Sequence, residues 1–330
     1  MMEQGNGPLA EAQDILRAWR IAPLSLAAKG NDILVTTEAG SRLLKAYPQG
    51  VGQGFRCHMA MEYSVERGFY GLPRHILNRS GKPLTVYRDS CYGLQDIWEA
   101  KPIDWQNNQD IFRLGQAMGQ VHTAMAGFHE AYLEQSEENW LTRAMEMAET
   151  WLAGKEKIPK ELTPEWERLC LSLGRLVTQL GEREDVLMEI EAVMPFIHNG
   201  FTGKDILLLP GGEVWVGGWE HWQGGNSLAD LCAVLHKIAW QRNWDPRAME
   251  ALLAGYRQKG VFRSDMAAVV CAWSAMPFAA LDLLARCEED TEQLPSATEW
   301  QPIFALQQQK EQVYGQVADW TRNYWRGGDF

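Results

Sequence analysis

Strand-forming segments are confined to two parts of this sequence, and that distribution limits the folds open to it. In the first part, Ile33-Leu34-Val35 and Leu43-Leu44 flank the turn Glu38-Ala39-Gly40, which predicts a β-hairpin. In the second part, the apolar residues 206–209 and 213–217 flank Pro210-Gly211-Gly212. That second pair predicts a short hairpin inside an otherwise helical region.

The segments around these hairpins have mostly helical periodicity. A helix is predicted over residues 8–20 and another over 52–67, followed by short strands around 74–77 and 84–87. Apolar residues then recur every three or four positions along one long helix, at Ile111, Leu114, Met118, Val121 and Met125. Further helices are predicted at 138–153, 164–181, 184–194, 228–240, 246–258, 264–286 and 300–325.

This order predicts an α+β fold of two lobes. A small antiparallel-sheet lobe carrying one helix would span residues 1–92, and a large helical lobe would span 93–330, the two forming one kinase-like unit. The order is typical of protein kinases and aminoglycoside phosphotransferases. The length of 330 residues, 46% of them hydrophobic, suits a bilobal protein-kinase-like fold of this size.

Charge and cysteine spacing exclude several classes of protein. The formal net charge of −12 argues against nucleic acid or an anionic membrane as partner, because phosphate groups are bound by basic patches. The amino-terminal segment has no basic region followed by an apolar run, so we expect a cytoplasmic protein without a secretion signal. Six cysteines lie without CxxC or metal-ligand spacing, which indicates reduced and mostly buried thiols.

Lys45 lies where a kinase-like fold has its phosphate-binding lysine. It ends the strand that follows the predicted hairpin turn, and a helix glutamate normally orients such a lysine. Glu62 or Glu66 on the next helix could be that partner, and we expect Glu62. Each of these residues could instead be an ordinary solvent-facing charge.

The segment Phe196–Leu207 has the form of a phosphotransferase catalytic loop leading into a strand. His198 stands at the loop histidine position, where the side chain has a structural role. Gly200 stands where the catalytic aspartate would accept a proton, and Asp205 stands at the position of the metal-binding asparagine. A glycine has no group that can accept a proton.

The second hairpin leads into the segment where a kinase binds Mg²⁺. Gly218 stands at the metal-binding aspartate position, with Glu220 two residues later. Ser227-Leu228-Ala229-Asp230-Leu231 then opens a helix and matches the segment whose aspartate supports the catalytic loop in these enzymes. The stretch Leu26–Asn31, expected to connect the first two strands, lacks a G-x-G-x-x-G phosphate loop.

The chain resembles the CotS/YutH/YsxE group of Bacillus-type spore coat proteins, which are aminoglycoside-phosphotransferase-like. The likeness spans about residues 10–325 and depends on the order and spacing of its motifs. Besides the two segments above, these motifs are Val121–Phe128, Leu235–Ile238 and Trp244…Tyr256. The resemblance implies a kinase-like fold, synthesis in the mother-cell cytoplasm, localisation in the spore coat during sporulation, and other spore coat proteins as partners.

Gly200 and Gly218 depart from a catalytic pattern and predict a pseudokinase with a structural or scaffold role. No metal and no cofactor are expected, and Lys45, Glu62, Asp205 and Glu220 would be remnants of a nucleotide site. Two alternatives remain open. The chain could be an active small-molecule kinase using ATP and Mg²⁺ through Asp205 and Glu220, or a nucleotide-binding regulator that keeps the Lys45 contacts.

Overall fold

The chain folds into two compact units. The computed structural model describes residues 7–128, 140–154, 158–193, 196–280, 283 and 296–325. The sheet unit comprises the described residues up to Ile103 together with His198–Trp222, and the helical unit comprises the other described residues.

The sheet unit is built on an antiparallel sheet with strand order β1-β2-β3-β6-β4, in which β5 also pairs with β6. Its strands are β1 (Ser25–Lys29), β2 (Asp32–Thr37), β3 (Gly40–Tyr47), β4 (His75–Ile76), β5 (Leu84–Tyr87) and β6 (Ser90–Asp96). The predicted hairpin is β2–β3, paired Ile33 to Leu44 and Thr37 to Gly40. The stretch Leu26–Asn31 does not connect two strands as expected. Most of it is β1 itself, which pairs with β2 across a two-residue turn.

Two helices of this unit pack on the sheet or beside it. Helix α1 (Gly7–Leu16) and the following turn pack on one face of the sheet, where Ile15 and Leu16 join the buried Val35 and Leu44. Successive side chains of a strand point to opposite faces, so Leu43 and Lys45 lie on the face away from α1. Helix α2 (Val51–Glu66) contacts β3, β5 and β6.

The sheet unit extends beyond the predicted lobe boundary. A boundary after residue 92 would cut β6, which pairs along its length with β3. The unit continues to β7 (Lys101–Pro102), which pairs with β9 (Ile206–Leu208) of the second predicted hairpin. Strand β10 (Val214–Val216) completes that hairpin, and the Val216 N–H donates to the carbonyl of Gly71 at 2.7 Å.

The helical unit contains the remaining elements. Its helices are α3 (Asn108–Ala124), α4 (Trp140–Ala153), α5 (Thr163–Gly181), α6 (Glu184–Val193), α7 (Leu228–Gln241), α8 (Pro246–Lys259), α9 (Ser264–Ser274) and α10 (Ala297–Trp325). Strands β8 (Phe196–Ile197) and β11 (Gln223–Gly224) pair within it. The helix predicted over 264–286 is interrupted after Ser274, because Pro277 lacks an N–H and disfavours a helical Met276. Part of that predicted helix lies outside the described residues.

Helices α3 and α8 approach each other through glycines. A Cβ atom on Gly115 would lie 2.1 Å from the Leu252 carbonyl oxygen, and one on Gly255 would lie 2.0 Å from that of Phe112. Both helices also begin with a side-chain cap, since Asn107 accepts the Gln109 N–H and Asp245 accepts the Arg247 N–H.

Four of the predicted buried cysteines, Cys57, Cys91, Cys232 and Cys271, are buried free thiols, whereas Cys170 is half-buried. Cys287 lies outside the described residues. In the part of the chain that the structure describes, no helix combines the length and apolar character needed to cross a bilayer.

Gly115→Ala tests the close approach of α3 and α8. The added methyl overlaps a backbone oxygen that cannot rotate away, so we expect a loss of about 1–3 kcal/mol in unfolding free energy. Gly174→Ala on α5 is the matched control, because open space surrounds that site and alanine is the better helix former. Thermal unfolding followed by circular dichroism measures both, and an equal response of the two variants would contradict the close packing.

Candidate functional site

The sheet unit contains a cleft of about 590 Å³ on the sheet face away from α1. Leu43 and Lys45 of β3 line it, together with residues from the loop after β10. The strand alternation that buries Leu44 against α1 places Lys45 in this cleft.

Lys45 is held in an ion-pair triad with two carboxylates of its own chain. Its Nζ lies 2.6 Å from Glu220 Oε1 and 3.4 Å from Asp32 Oδ2, and all three side chains are less than one-fifth exposed. Asp32 also accepts the Ala46 N–H at 3.0 Å, which fixes the carboxylate beside β3. We call these three residues the Asp32–Lys45–Glu220 triad.

The pKa values of Lys45 and Glu220 reflect two opposing effects, the burial of each group and the attraction between opposite charges. Burial lowers the pKa of Lys45, but the attraction of Glu220 and Asp32 outweighs it and leaves the pKa above its ordinary value. Burial raises the pKa of Glu220, yet Lys45 brings it below the ordinary value. Lys45 and Glu220 therefore both favour their charged forms near neutral pH.

The expected pair of Lys45 with Glu62 is not formed. Glu62 instead accepts two hydrogen bonds from Arg74, at 3.0 Å from Nε and 2.5 Å from Nη2, and Glu66 is exposed at the end of α2. Helix α2 presents Cys57 to the loop after β10, with its Sγ 3.5 Å from the Trp219 carbonyl oxygen.

Asp32 was missed by the sequence reasoning although the hairpin register could have indicated it. The turn at residues 38–39 sets Ile33 opposite Leu44, so Asp32 is the next residue along toward Lys45. Opposite charges at facing positions of an antiparallel pair attract each other. Glu220 had been singled out as a remnant of a nucleotide site or a residue that could hold a cation, but not as a partner of Lys45.

Gly200 lies directly beside the His198 ring. His198 is buried between Phe201 and Trp219, with ring centroids 4.7 and 5.2 Å away, and its Nδ1 accepts the Gly200 N–H at 3.1 Å. A Cβ atom on Gly200 would lie 2.7 Å from Cε1 and 2.8 Å from Nδ1 of that ring. Any larger residue at position 200 therefore requires the imidazole to move.

Gly218 starts the turn that delivers Glu220 to Lys45. It adopts a left-handed conformation, with φ 76° and ψ 22°, and precedes a 3₁₀ turn over Trp219–His221. A Cβ atom at this position would meet nothing closer than 3.6 Å. The Trp219 indole donates to the Val216 carbonyl at 2.7 Å and holds the turn against β10.

Asp205 also lines the cleft, but it lies outside the triad. It is half-buried, its carbonyl accepts the Gly217 N–H at 2.9 Å, and among the described residues its carboxylate has no ion-pair partner. Across the described ranges, no group of three or more histidine, cysteine, aspartate or glutamate side chains is placed to hold a metal ion.

Apolar and aromatic side chains also line the cleft. Trp98 is 61% exposed and meets Trp215 edge to face, with ring centroids 6.2 Å apart. Leu43, Ile97 and Leu207 line the same cleft.

Asp230 belongs to a buried network in the helical unit. Its Oδ2 lies 3.1 Å from His122 Nε2, and the Tyr256 hydroxyl lies 2.8 Å from His122 Nδ1. The network joins α3, α7 and α8 through side chains that are almost fully buried. Hydrogen bonding to partners on other helices is what allows polar groups of this kind to be buried.

Comparison with known proteins bears on the fold. No protein-family model matches the sequence, and no curated protein matches it. An aminoglycoside phosphotransferase from Alicyclobacillus acidocaldarius superposes with a TM-score of 0.76 at 15% identity, over 94% of this chain and 96% of that one.

Two further solved structures give the same result at lower similarity. Spectinomycin phosphotransferase in complex with ADP and spectinomycin has a TM-score of 0.55 at 11% identity, over 95% of this chain and 98% of that one. Amicoumacin kinase in complex with AMP-PNP and calcium has a TM-score of 0.55 at 14% identity, over 94% and 93%. These likenesses confirm the predicted α+β kinase-like fold, that of the aminoglycoside phosphotransferases.

Proposed function

We propose that the chain is a catalytically inactive, kinase-like protein of the spore coat, with a structural or scaffold role. The observation that carries the loss of catalysis is the pair Gly200 and Gly218, at the positions of the catalytic base and the metal-binding aspartate. Loss of a general base alone costs about 10²–10⁴-fold in rate. Without the metal carboxylate, the phosphates of a nucleotide would also lack their bridging cation.

The Asp32–Lys45–Glu220 triad supports the same proposal. A phosphate-binding lysine of this fold is normally oriented by a helix glutamate, whereas Lys45 is paired with Asp32 on β2 and with Glu220 on the turn after β10. The lysine therefore serves as an internal structural cation. The resemblance to the CotS group supports the coat role, the mother-cell origin and coat proteins as partners.

A nucleotide-binding regulator is the second candidate. The cleft of about 590 Å³ favours it, because that volume lies in the usual range of small-molecule sites. An active kinase would need Asp205 and Glu220 to take over both missing functions, while Glu220 is already engaged with Lys45.

A phosphoryl-transfer assay tests the loss of catalysis. The protein is incubated with γ-labelled ATP, Mg²⁺ or Mn²⁺, and spectinomycin, amicoumacin or an aminoglycoside as acceptor. We expect no labelled product above that of a heat-denatured control. Product that forms with the native protein and is lost in Asp205→Asn would overturn the proposal in favour of an active enzyme.

Fluorescent labelling in sporulating cells of the encoding organism tests the coat role. We expect synthesis in the mother cell, followed by a fluorescent ring around the developing spore and retention on the released spore. A signal that stays diffuse in the mother cell until lysis would contradict a coat location.

Restoring the aspartates should affect the fold unequally at the two positions. Gly218→Asp has open space and meets only the cost of a left-handed backbone, about 1 kcal/mol, which aspartate tolerates better than most residues. Gly200→Asp must displace the buried His198 ring, so we expect a clearly larger drop in melting temperature. A melting temperature for Gly200→Asp equal to or above that of Gly218→Asp would contradict the close packing of His198 against position 200.

Lys45→Met should make the stability of the chain depend on pH in a new way. In the parent, the lowered pKa of Glu220 means that its stabilising effect is present above the ordinary carboxyl pKa and is lost as pH falls through the lowered value. Without Lys45, burial outweighs the remaining attraction of His221 and raises the pKa of Glu220 above its ordinary value, so Lys45→Met should gain stability as the pH falls toward the ordinary carboxyl pKa. Melting temperatures over this fall in pH measure the effect.

Lys29→Met is the matched control for that experiment. Lys29 lines the same cleft but is exposed and lies outside the triad. We expect its melting temperature to follow the parent at every pH, and a parallel response of the two variants would show that Lys45 has no special role.

A further inference from the structure

We propose that a groove between the start of helix α2 and strand β5 is a docking site for a partner protein, and that its occupant is an acidic peptide segment carrying a large apolar side chain. This α2–β5 groove has a volume of about 550 Å³ and is lined by Ala18, Val51, Phe55 and residues 78–80 and 82–86. It shares no lining residue with the cleft of the Asp32–Lys45–Glu220 triad. The inference therefore goes beyond the loss of catalysis, because peptide binding here does not depend on phosphoryl transfer.

Three exposed apolar side chains line the α2–β5 groove. Val51 and Phe55 stand one turn apart on the same side of α2 and are 50% and 46% exposed. Val86 of β5 is 58% exposed. Single exposed apolar residues are ordinary on a protein surface, whereas several that line one groove indicate a binding surface.

The packing of α2 on the sheet explains why this apolar surface stays uncovered. Helix α2 approaches β5 at Gly54, where a Cβ atom would lie 2.9 Å from a methyl carbon of Leu84. Leu84 is buried by this contact, whereas Val86, two residues further along the same face of the strand, remains exposed. The backbones of α2 and β5 thus set the shape of the groove.

The turn that carries the cations of the groove is held in place by Asn78. The Asn78 side-chain oxygen accepts the N–H groups of Ser80 and Lys82 at 2.9 and 3.1 Å. The Arg79 N–H also donates to the Ala18 carbonyl at 2.9 Å, which ties the turn to the segment after α1. A preformed turn of this kind loses little conformational freedom when a ligand binds.

The groove is basic although the chain as a whole has a net charge of −12. Arg79 and Lys82 line it and are exposed, and no aspartate or glutamate is among the described residues that line it. Within the described part of the chain, neither cation is paired with a carboxylate. Exposed ion pairs are individually weak, so the cations select an acidic ligand while the apolar contacts provide most of the affinity.

A peptide fits these features better than a lipid bilayer does. The apolar side chains line a concave groove, which a single peptide segment can enter and a flat bilayer cannot. The acidic character of the whole chain would also repel an anionic membrane.

Selection from a phage-displayed library of random peptides tests the chemistry of the occupant. We expect the enriched peptides to contain an aromatic or large aliphatic residue flanked by aspartate or glutamate. Enrichment of basic peptides would overturn the proposal. The proposal would also be overturned if no enriched peptide bound the parent protein more tightly than Val86→Glu, a variant that places a carboxylate in the groove.

Fluorescence anisotropy with an enriched, fluorescein-labelled peptide measures the apolar contacts. Phe55→Ala should lower the affinity about tenfold or more, because it removes an exposed aromatic ring from the groove. Val86→Glu should lower it as much by charge repulsion, and it serves as the second variant if Phe55→Ala is unstable. Tyr70→Ala is the matched control, since it removes a 71% exposed ring of the sheet unit that does not line the groove. Equal losses in Phe55→Ala and Tyr70→Ala would overturn the assignment of the groove.

The same titration measures the contribution of the cations. Arg79→Gln combined with Lys82→Gln should lower the affinity roughly threefold to tenfold and remove most of its dependence on salt. Arg67→Gln combined with Lys101→Gln removes the same charge from exposed residues outside the groove and should have a clearly smaller effect. Equal losses would show that overall charge, rather than the two groove cations, selects the peptide.

Sedimentation with phosphatidylglycerol vesicles distinguishes a membrane from a peptide. We expect no binding, and sedimentation that is lost in Phe55→Ala would assign the groove to a membrane and overturn the proposal. Failure of these binding results would leave the proposed loss of catalysis standing. Phosphoryl transfer by the native protein would overturn that function and leave the α2–β5 groove standing.

Discussion

A lysine that is largely withdrawn from water must have its charge compensated, and this requirement organises the cleft. Lys45 obtains that compensation from Asp32 on the neighbouring strand and from Glu220 on the turn after β10. The sheet and the loop that begins at His198 are thereby joined through one cation, although Lys45 and Glu220 are far apart in the sequence. Both compensating carboxylates come from the chain itself.

Most of the fold could be predicted from the sequence because its signals are local. The β2–β3 hairpin follows from the turn at residues 38–39, and the β9–β10 hairpin follows from Pro210-Gly211-Gly212. The boundary at residue 92 could not be placed correctly by such signals, since β6 gains its strand character from pairing with β3. Helix α9 ended earlier than periodicity indicated because Pro277 outweighs the apolar pattern around it.

Motif spacing singled out several residues that line the cleft, but it did not indicate their partners. Asp205, Gly218 and Glu220 all line the cleft. The partner of Lys45 depends on which carboxylate lies close to it in the folded chain. Glu62, the expected partner, pairs with Arg74 instead. Asp32 was within reach of sequence reasoning through the hairpin register, whereas the turn that brings Glu220 to the lysine depends on the left-handed Gly218.

The packing of His198 over Gly200 limits what can stand at position 200. The imidazole occupies the space of a side chain there, so any residue with a Cβ atom must displace a buried ring whose Nδ1 already accepts the Gly200 N–H. A carboxylate at this position would therefore require a second change that moves the histidine. Residues 198 and 200 are constrained as a pair, and a substitution at one has to be matched by an adjustment at the other.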